Sequence, residues 1–178
     1  MIRFEKVSLK KYVDAVNKCD NIGYTYDELM EEWENIKLPK RSTKCSAGYD
    51  FFAPHDFSLP GRTINVLQSC VYNDYGYKTF PTGIRFVTDE PDVVLLLIPR
   101  SGLGFKYGTR LRNSIGCIDA DYFLSDNEGQ IMVKMRSEEP VEIEQGKAYM
   151  QGIITRYLTV DDDNAERERN GGFGSTDK

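Results

Sequence analysis

From Pro39 onward the chain cannot hold one direction for long. Short apolar runs alternate with clusters of Gly, Pro, Asp and Asn. Such punctuation breaks helices and favours many short strands joined by turns, the texture of an all-β sandwich or barrel. The apolar runs predict strands at residues 49–53, 63–66, 83–87, 93–99, 130–136, 141–143 and 149–157. Ile131, Val133 and Met135 alternate with Gln130, Lys134 and Arg136. That period belongs to a strand with one buried face. The most apolar run, residues 93–98, is far shorter than the ~20 residues that cross a bilayer, so no membrane association is expected.

Before Pro39 the period is different. Ile2 and Phe4 alternate with Arg3 and Glu5, a short strand signal. Leu9, Tyr12, Val13 and Val16 then fall at helical spacing, and Tyr26, Leu29, Met30 and Trp33 repeat it. Thr25 and Glu28 form a capping box that starts the second helix. Both helices are expected to pack on the outside of the β core, as an insertion at about residues 8–37 with no catalytic duty of its own.

The C-terminal stretch reads as a third region. Asp161, Asp162 and Asp163 precede Glu166-Arg167-Glu168-Arg169, with almost nothing apolar between them. The composition predicts a solvated linker or mobile arm over 159–178, attached to one β domain at 1–158. The three aspartates read as solvated rather than as a metal site. Phe173 then stands alone among Gly171, Gly172 and Gly174. An aromatic so placed is expected to close over a surface elsewhere.

The charge balance narrows the partners. Lys and Arg number 23 against 28 Asp and Glu, a net charge of −5. General nucleic-acid binding needs a clustered positive excess and is not expected. Cys19, Cys45, Cys70 and Cys117 show no C-x-x-C spacing, which argues against zinc ribbons and thioredoxin chemistry. With no signal-peptide core at the N-terminus, free thiols in the cytoplasm are expected. A single histidine, His55, excludes any two-His metal site.

Four segments carry side chains suited to chemistry. Pro99-Arg100-Ser101-Gly102-Leu103-Gly104 follows the most apolar strand. It offers a guanidinium fork, a hydroxyl and a backbone that a ligand can approach closely, or else a plain turn with Arg100 on a surface carboxylate. Asn113 to Tyr122 holds an asparagine, two aspartates and a tyrosine. A carboxylate there is able to take a proton from water, and the alternative is a polar hairpin. Asp50 lies on a predicted strand after Gly48, as a polar site residue or as a buried acid bonded to backbone. Gln151 sits in the last strand, facing either a ligand or solvent.

Taken in order, these segments resemble the five motifs of the homotrimeric dUTPase family. The counterparts are Ala47-Gly48-Tyr49-Asp50, residues 99–104, Gly116-Cys117-Ile118-Asp119-Ala120-Asp121-Tyr122, residues 146–151, and Gly171-Gly172-Phe173-Gly174-Ser175-Thr176. The resemblance implies a mostly β, dUTPase-like barrel or jelly roll that hydrolyses dUTP to dUMP and pyrophosphate, with Mg2+. It implies Asp119 as general base and Tyr122 under the deoxyribose. Asn113, Cys117, Ile118 and Met132 would belong to the hairpin that reads uracil. Arg100, Ser101 and Gly102 would form the phosphate turn, with Gln151 near the phosphates and Asp50 holding the Mg2+ shell through water. Phe173, Gly174 and Ser175 would form the closing arm, with its phenyl ring on the uracil. Three subunits would share each site.

The chain departs from that pattern in four places. Residues 123–128 lengthen the step after Tyr122. The last motif's arginine is out of step, and Arg169 is favoured over Arg167. Met150 stands where the family has alanine. The helices at 8–37 interrupt the run from the first strand. Glu128, in the lengthened step, keeps open a dCTP deaminase of the same fold, which needs an acid near the amino group of the base. A third reading, from another class, is a nucleotide-dependent regulator docking a protein through the helices.

Overall fold

The computed structural model describes residues 1–19, 23–67, 70–167, 169 and 171. The chain begins with β1 (Ile2–Lys6), α1 (Leu9–Cys19) and α2 (Tyr26–Asn35). Strands β2 (Lys40–Arg41), β3 (Gly48–Phe52), β4 (Phe57–Leu59), β5 (Arg62–Leu67), β6 (Cys70–Tyr75), β7 (Lys78–Pro81), β8 (Ile84–Thr88) and β9 (Val93–Pro99) follow. After α3 (Ser101–Tyr107) come β10 (Arg110–Leu111), β11 (Gly116–Ile118), a 3-10 turn at Tyr122–Leu124, β12 (Met132–Arg136), β13 (Val141–Ile143) and β14 (Ala148–Arg156). The fold is mostly β, as the punctuation of the sequence predicts.

The largest sheet among the described residues has the order β11-β9-β14-β3-β2, with every pairing antiparallel. β9 is apolar on both faces, and Val93, Val94, Leu95 and Leu97 are all buried. An unbroken apolar strand needs cover on both faces of its sheet, and β9 is also interior within it, paired with β11 and β14. β12 alternates instead, with Val133 and Met135 buried and Lys134 exposed, and it pairs with β10 and β7. Smaller pairs join β1 to β8, β4 to β13 and β5 to β6.

The helices are more than an outer layer. Tyr12, Val16, Leu29 and Ile36 are buried in the same apolar cluster as Phe51, Phe80, Leu95 and Tyr149. Gly83 permits this close approach. Its φ is +70°, and a Cβ there would lie 2.3 Å from Ile36 Cδ1 and 3.3 Å from the Tyr12 ring. The buried Tyr12 hydroxyl donates to Glu32 of α2, which also lies 3.0 Å from His55 Nδ1. Burial, then the Glu32 carboxylate, pushes the Tyr12 hydroxyl well above its ordinary range. The apolar faces of α1 and α2 are therefore part of the core, while Lys10, Asn17, Lys18, Asp27, Glu28 and Glu31 on their other faces stay exposed. The periodicity located those faces but could not say how deeply they would be covered.

Several elements escape the sequence reading: β2, β4, β6, β7, β10, β11 and α3. β6 carries Asn73 and Asp74, poor strand formers, and is a strand because it pairs with β5. β4 is only three residues long. Residues 101–107 read as a turn because two glycines weaken helix propensity. They form α3, closed by Gly108 at φ 63° with its N–H on Gly104 O.

Candidate active site

Asp119 and Tyr122 are placed by the end of β11. That strand pairs with β9 in the register Gly116↔Leu97, Cys117↔Leu96 and Ile118↔Leu95. Beyond Ile118 the chain leaves the sheet, and Tyr122 N–H closes a turn on Asp119 O at 3.1 Å. The 3-10 turn then lays the Tyr122 ring against the body, leaving it 7% exposed. Cys117, Ile118, Asp119, Tyr122, Met132 and Arg169 line a cavity of about 120 Å³.

Charge in this cavity is concentrated and paired. Arg169 Nε donates to Asp121 Oδ1 at 2.8 Å, while a terminal nitrogen bonds Asp119. The guanidinium also lies 5.7 Å from the Tyr122 ring centre. Cys117 Sγ sits 3.8 Å from Asp119 Oδ1. Burial first, then that carboxylate, pushes the thiol upward from its ordinary value. A nucleophilic thiolate is thereby disfavoured. Outside the cavity a groove of about 540 Å³ runs past Asp119, Leu124, Tyr157 and Arg169.

A second cluster surrounds Asp50. This acid is 8% exposed on β3, accepts from the Ser42 hydroxyl and lies 3.3 Å from Arg100 Nε. Gln151 of β14 stands directly opposite it in the sheet register. Gly48 leaves room for that amide, because a Cβ there would come within 2.2 Å of Gln151 Oε1. Ser101 and Gly102 open α3, exposed to solvent. A Cβ at Gly102 would meet nothing within 4 Å, so packing within the chain does not require glycine there.

The two clusters occupy opposite ends of β9. Ile118 pairs with Leu95, whereas Arg100 follows Pro99 at the far end. Five residues of strand put about 16 Å between them at ~3.3 Å per residue. Within one chain, the carboxylate pair and the arginine–serine–glycine turn are therefore held apart.

Other candidates fall outside both clusters. Asn113 is exposed in the turn before β11, its carbonyl accepting from Ile115 N at 2.7 Å, and it does not line the cavity. The backbone turn at Asn113 absorbs it. Phe173, Gly174 and Ser175 lie outside the described residues. Glu128 is committed elsewhere: its carboxylate accepts from Ser8 N at 2.8 Å and Ser8 Oγ at 2.9 Å, at the start of α1. The Ser8 backbone N–H is the main cause holding its carboxyl below the ordinary range. Asn127 was missed by sequence reasoning. Its amide reaches the Tyr122 hydroxyl at 3.0 Å, and the Ser-Asp-Asn run before Glu128 was the available turn signal. Among the described residues no group of three or more His, Cys, Asp or Glu is placed to hold a metal. No helix among them is long and apolar enough to cross a membrane.

The chain is similar to known proteins. The dUTPase family model matches residues 34–177. A deoxyuridine 5'-triphosphate nucleotidohydrolase of Lactococcus lactis is 39% identical over 157 residues, covering 84% of this chain and 95% of that protein. The crystal structure of dUTPase from Streptococcus mutans superposes with a TM-score of 0.58 and 28% identity, covering 89% of this chain and 98% of that one. A dUTPase from phage phi11 of S. aureus, described as coordinating a structural Mg(II) ion, shares the fold with a TM-score of 0.59 and 17% identity, covering 94% of this chain and 97% of that one. The carboxylate-lined cavity, the arginine–serine–glycine turn and these matches agree: the chain belongs to the dUTPase family and is an enzyme that hydrolyses dUTP.

Proposed function

We propose that Asp119 is the general base for attack of water on the α-phosphorus of dUTP. The water oxygen bonds phosphorus, its proton passes to the Asp119 carboxylate, and the α–β bridging bond breaks to release pyrophosphate and dUMP. A positioned base of this kind typically contributes ~10² to ~10⁴ in rate. The observation that carries the reading is the cavity in which Asp119, Tyr122 and Arg169 meet. Arg169 holds Asp119 before substrate arrives. A bound phosphate, a stronger bidentate acceptor, draws that guanidinium away and frees the carboxylate for the proton.

The remaining roles are those that the family membership implies. Cys117, Ile118 and Met132 wall the base pocket, with Asn113 at the edge of its hairpin, and Tyr122 packs under the deoxyribose. Arg100, Ser101 and Gly102 take the phosphates, with Gln151 beside them. Phe173, Gly174 and Ser175 close over the nucleotide. Mg2+ fits this donor set in one specific way. Asp50 already spends Oδ1 on Arg100 and Oδ2 on Ser42, so it suits a metal-bound water rather than the ion itself. When bound, Mg2+ supplies neutralisation of the triphosphate charge.

Because Asp119 and Arg100 sit at opposite ends of β9, a complete site needs the phosphate turn of another copy. A homotrimer with shared sites meets that need, and Phe105 on α3, 94% exposed, offers apolar surface for it. The enzyme would work in the cytoplasm, limiting uracil in DNA and supplying dUMP for thymidylate synthesis. Incubating purified protein with dUTP and with dCTP tests the reading. Pyrophosphate from dUTP is expected. Ammonia from dCTP would favour a deaminase, and binding without turnover a nucleotide-dependent regulator.

A further inference from the structure

We infer that the lengthened loop 123–128 is a device that positions Tyr122, with Asn127 as the residue that sets discrimination between deoxyribose and ribose. This rests on the proposed place of Tyr122 under the sugar. The hydroxyl of Tyr122 is fully engaged away from any ligand. It donates to Gln130 O at 3.2 Å and accepts from Asn127 Nδ2 at 3.0 Å. Tyr122 therefore has no free proton to donate to a sugar. It is left to select by where its ring stands.

Asn127 is itself fixed. Its Oδ1 accepts from Gly129 N at 3.2 Å and lies 2.6 Å from Ser125 Oγ, which also lies 2.6 Å from Tyr122 O. These acceptor contacts orient the amide so that Nδ2 faces the Tyr122 hydroxyl. Ser125 is 5% exposed, so water offers little competition. The far end of the loop is tied down as well. Glu128, at a left-handed φ of 60°, holds the Ser8 backbone and hydroxyl. Two of the chain's four departures, the longer loop and the helices, are thus joined through one carboxylate. Rejecting a 2′-hydroxyl by contact requires a wall that cannot retreat, and supporting hydrogen bonds are what keep a wall in place.

The test measures kcat/KM for dUTP and UTP in the full chain, for wild type, Asn127→Ala, Tyr122→Phe and the double variant. Each single change should raise the UTP:dUTP ratio about tenfold, the size of one neutral hydrogen bond. The double variant should shift it by less than the two changes combined, because they share the Asn127–Tyr122 bond, although Tyr122→Phe also removes the bond to Gln130 O and Asn127→Ala those to Ser125 and Gly129. A purely structural role would lower Tm and both rates together and leave the ratio unmoved. Tyr122→Phe keeps the ring and removes the shared contact together with the bond to Gln130 O, so it answers even if Asn127→Ala folds poorly. Ratios within twofold of a selective wild type would overturn the positioning role alone. A wild type that hydrolyses UTP as fast as dUTP would sink the reading of Tyr122, and this inference with it.

Discussion

Arg169 donates from Nε to Asp121 Oδ1 at 2.8 Å, and the same guanidinium bonds the neighbouring Asp119. One cation thus bridges the two acids that flank the turn into Tyr122. The acids are not equivalent, since Asp119 lines the small cavity and Asp121 only the outer groove. Asp119→Asn should keep the fold and dUTP binding yet lose at least ~10²-fold in turnover. Asp121→Asn should lose far less. Steady-state kinetics with nucleotide titrations check both, and the reverse order would move the base to Asp121.

Gly48 and Gln151 make a second test. A methyl at Gly48 would meet Oε1, Cδ and Cβ of Gln151 at 2.2, 3.0 and 3.3 Å. The side chain must swing aside. Gly48→Ala should therefore lower kcat/KM several-fold with a stability change under about 1 kcal/mol. In a Gln151→Ala background the same change should add little. A full further loss there would show that Gly48 acts independently of the amide.

Residues 159–167 lie exposed along the body. Deleting residues 170–178 should cripple turnover and leave Tm nearly unchanged, because the removed segment carries little apolar surface. Calorimetry beside an activity assay reads both, and a large drop in Tm would make the tail part of the core.

Two inactive parents give a sharper assay of assembly. Asp119→Asn and the 170–178 deletion, unfolded together and refolded, should recover activity if base and arm come from different copies. Arg169 reaches Asp119 of its own chain in the single subunit. The chain between Arg156 and Arg169 can extend ~3.3–3.6 Å per residue, which also permits reach to a neighbour. A mixture that stays dead, with mixed oligomers demonstrated, would place the arm on its own subunit.

Tyr149 supplies a pH prediction. Its hydroxyl is fully buried and finds no hydrogen-bond partner among the described residues. Burial pushes it well above its ordinary value of 10.0. The folded state keeps the proton that the unfolded chain releases near pH 10, so stability is full below that point and falls as pH rises beyond it. Tyr149→Phe should raise stability by about 1 kcal/mol at neutral pH. It should also soften the alkaline loss. Urea melts from pH 7 to 11 measure both, and a destabilised variant would mean that the hydroxyl has a partner.

The sequence alone determined what depends on neighbouring positions. The unbroken apolar run of β9, the alternation in β12, the helical spacing of Tyr12 with Val16 and the Thr25–Glu28 box all follow from local periodicity and capping. The motif order likewise brought Asp119, Arg100 and Gln151 forward. Tertiary structure decided what depends on distant partners. Residues 70–75 are a strand because β5 lies beside them, and Tyr12 is core because Gly83 lets it approach. Glu128 serves Ser8 rather than a base because the loop folds toward α1. Asn127, unremarkable in sequence, gains its place from a hydroxyl five positions earlier that only the folded turn brings within 3.0 Å. The separation of Asp119 from Arg100 is also a matter of register, since it depends on which residue of β9 faces Ile118. Periodicity reports which face of an element is apolar, while pairing and register depend on the partner strand, which local sequence does not contain.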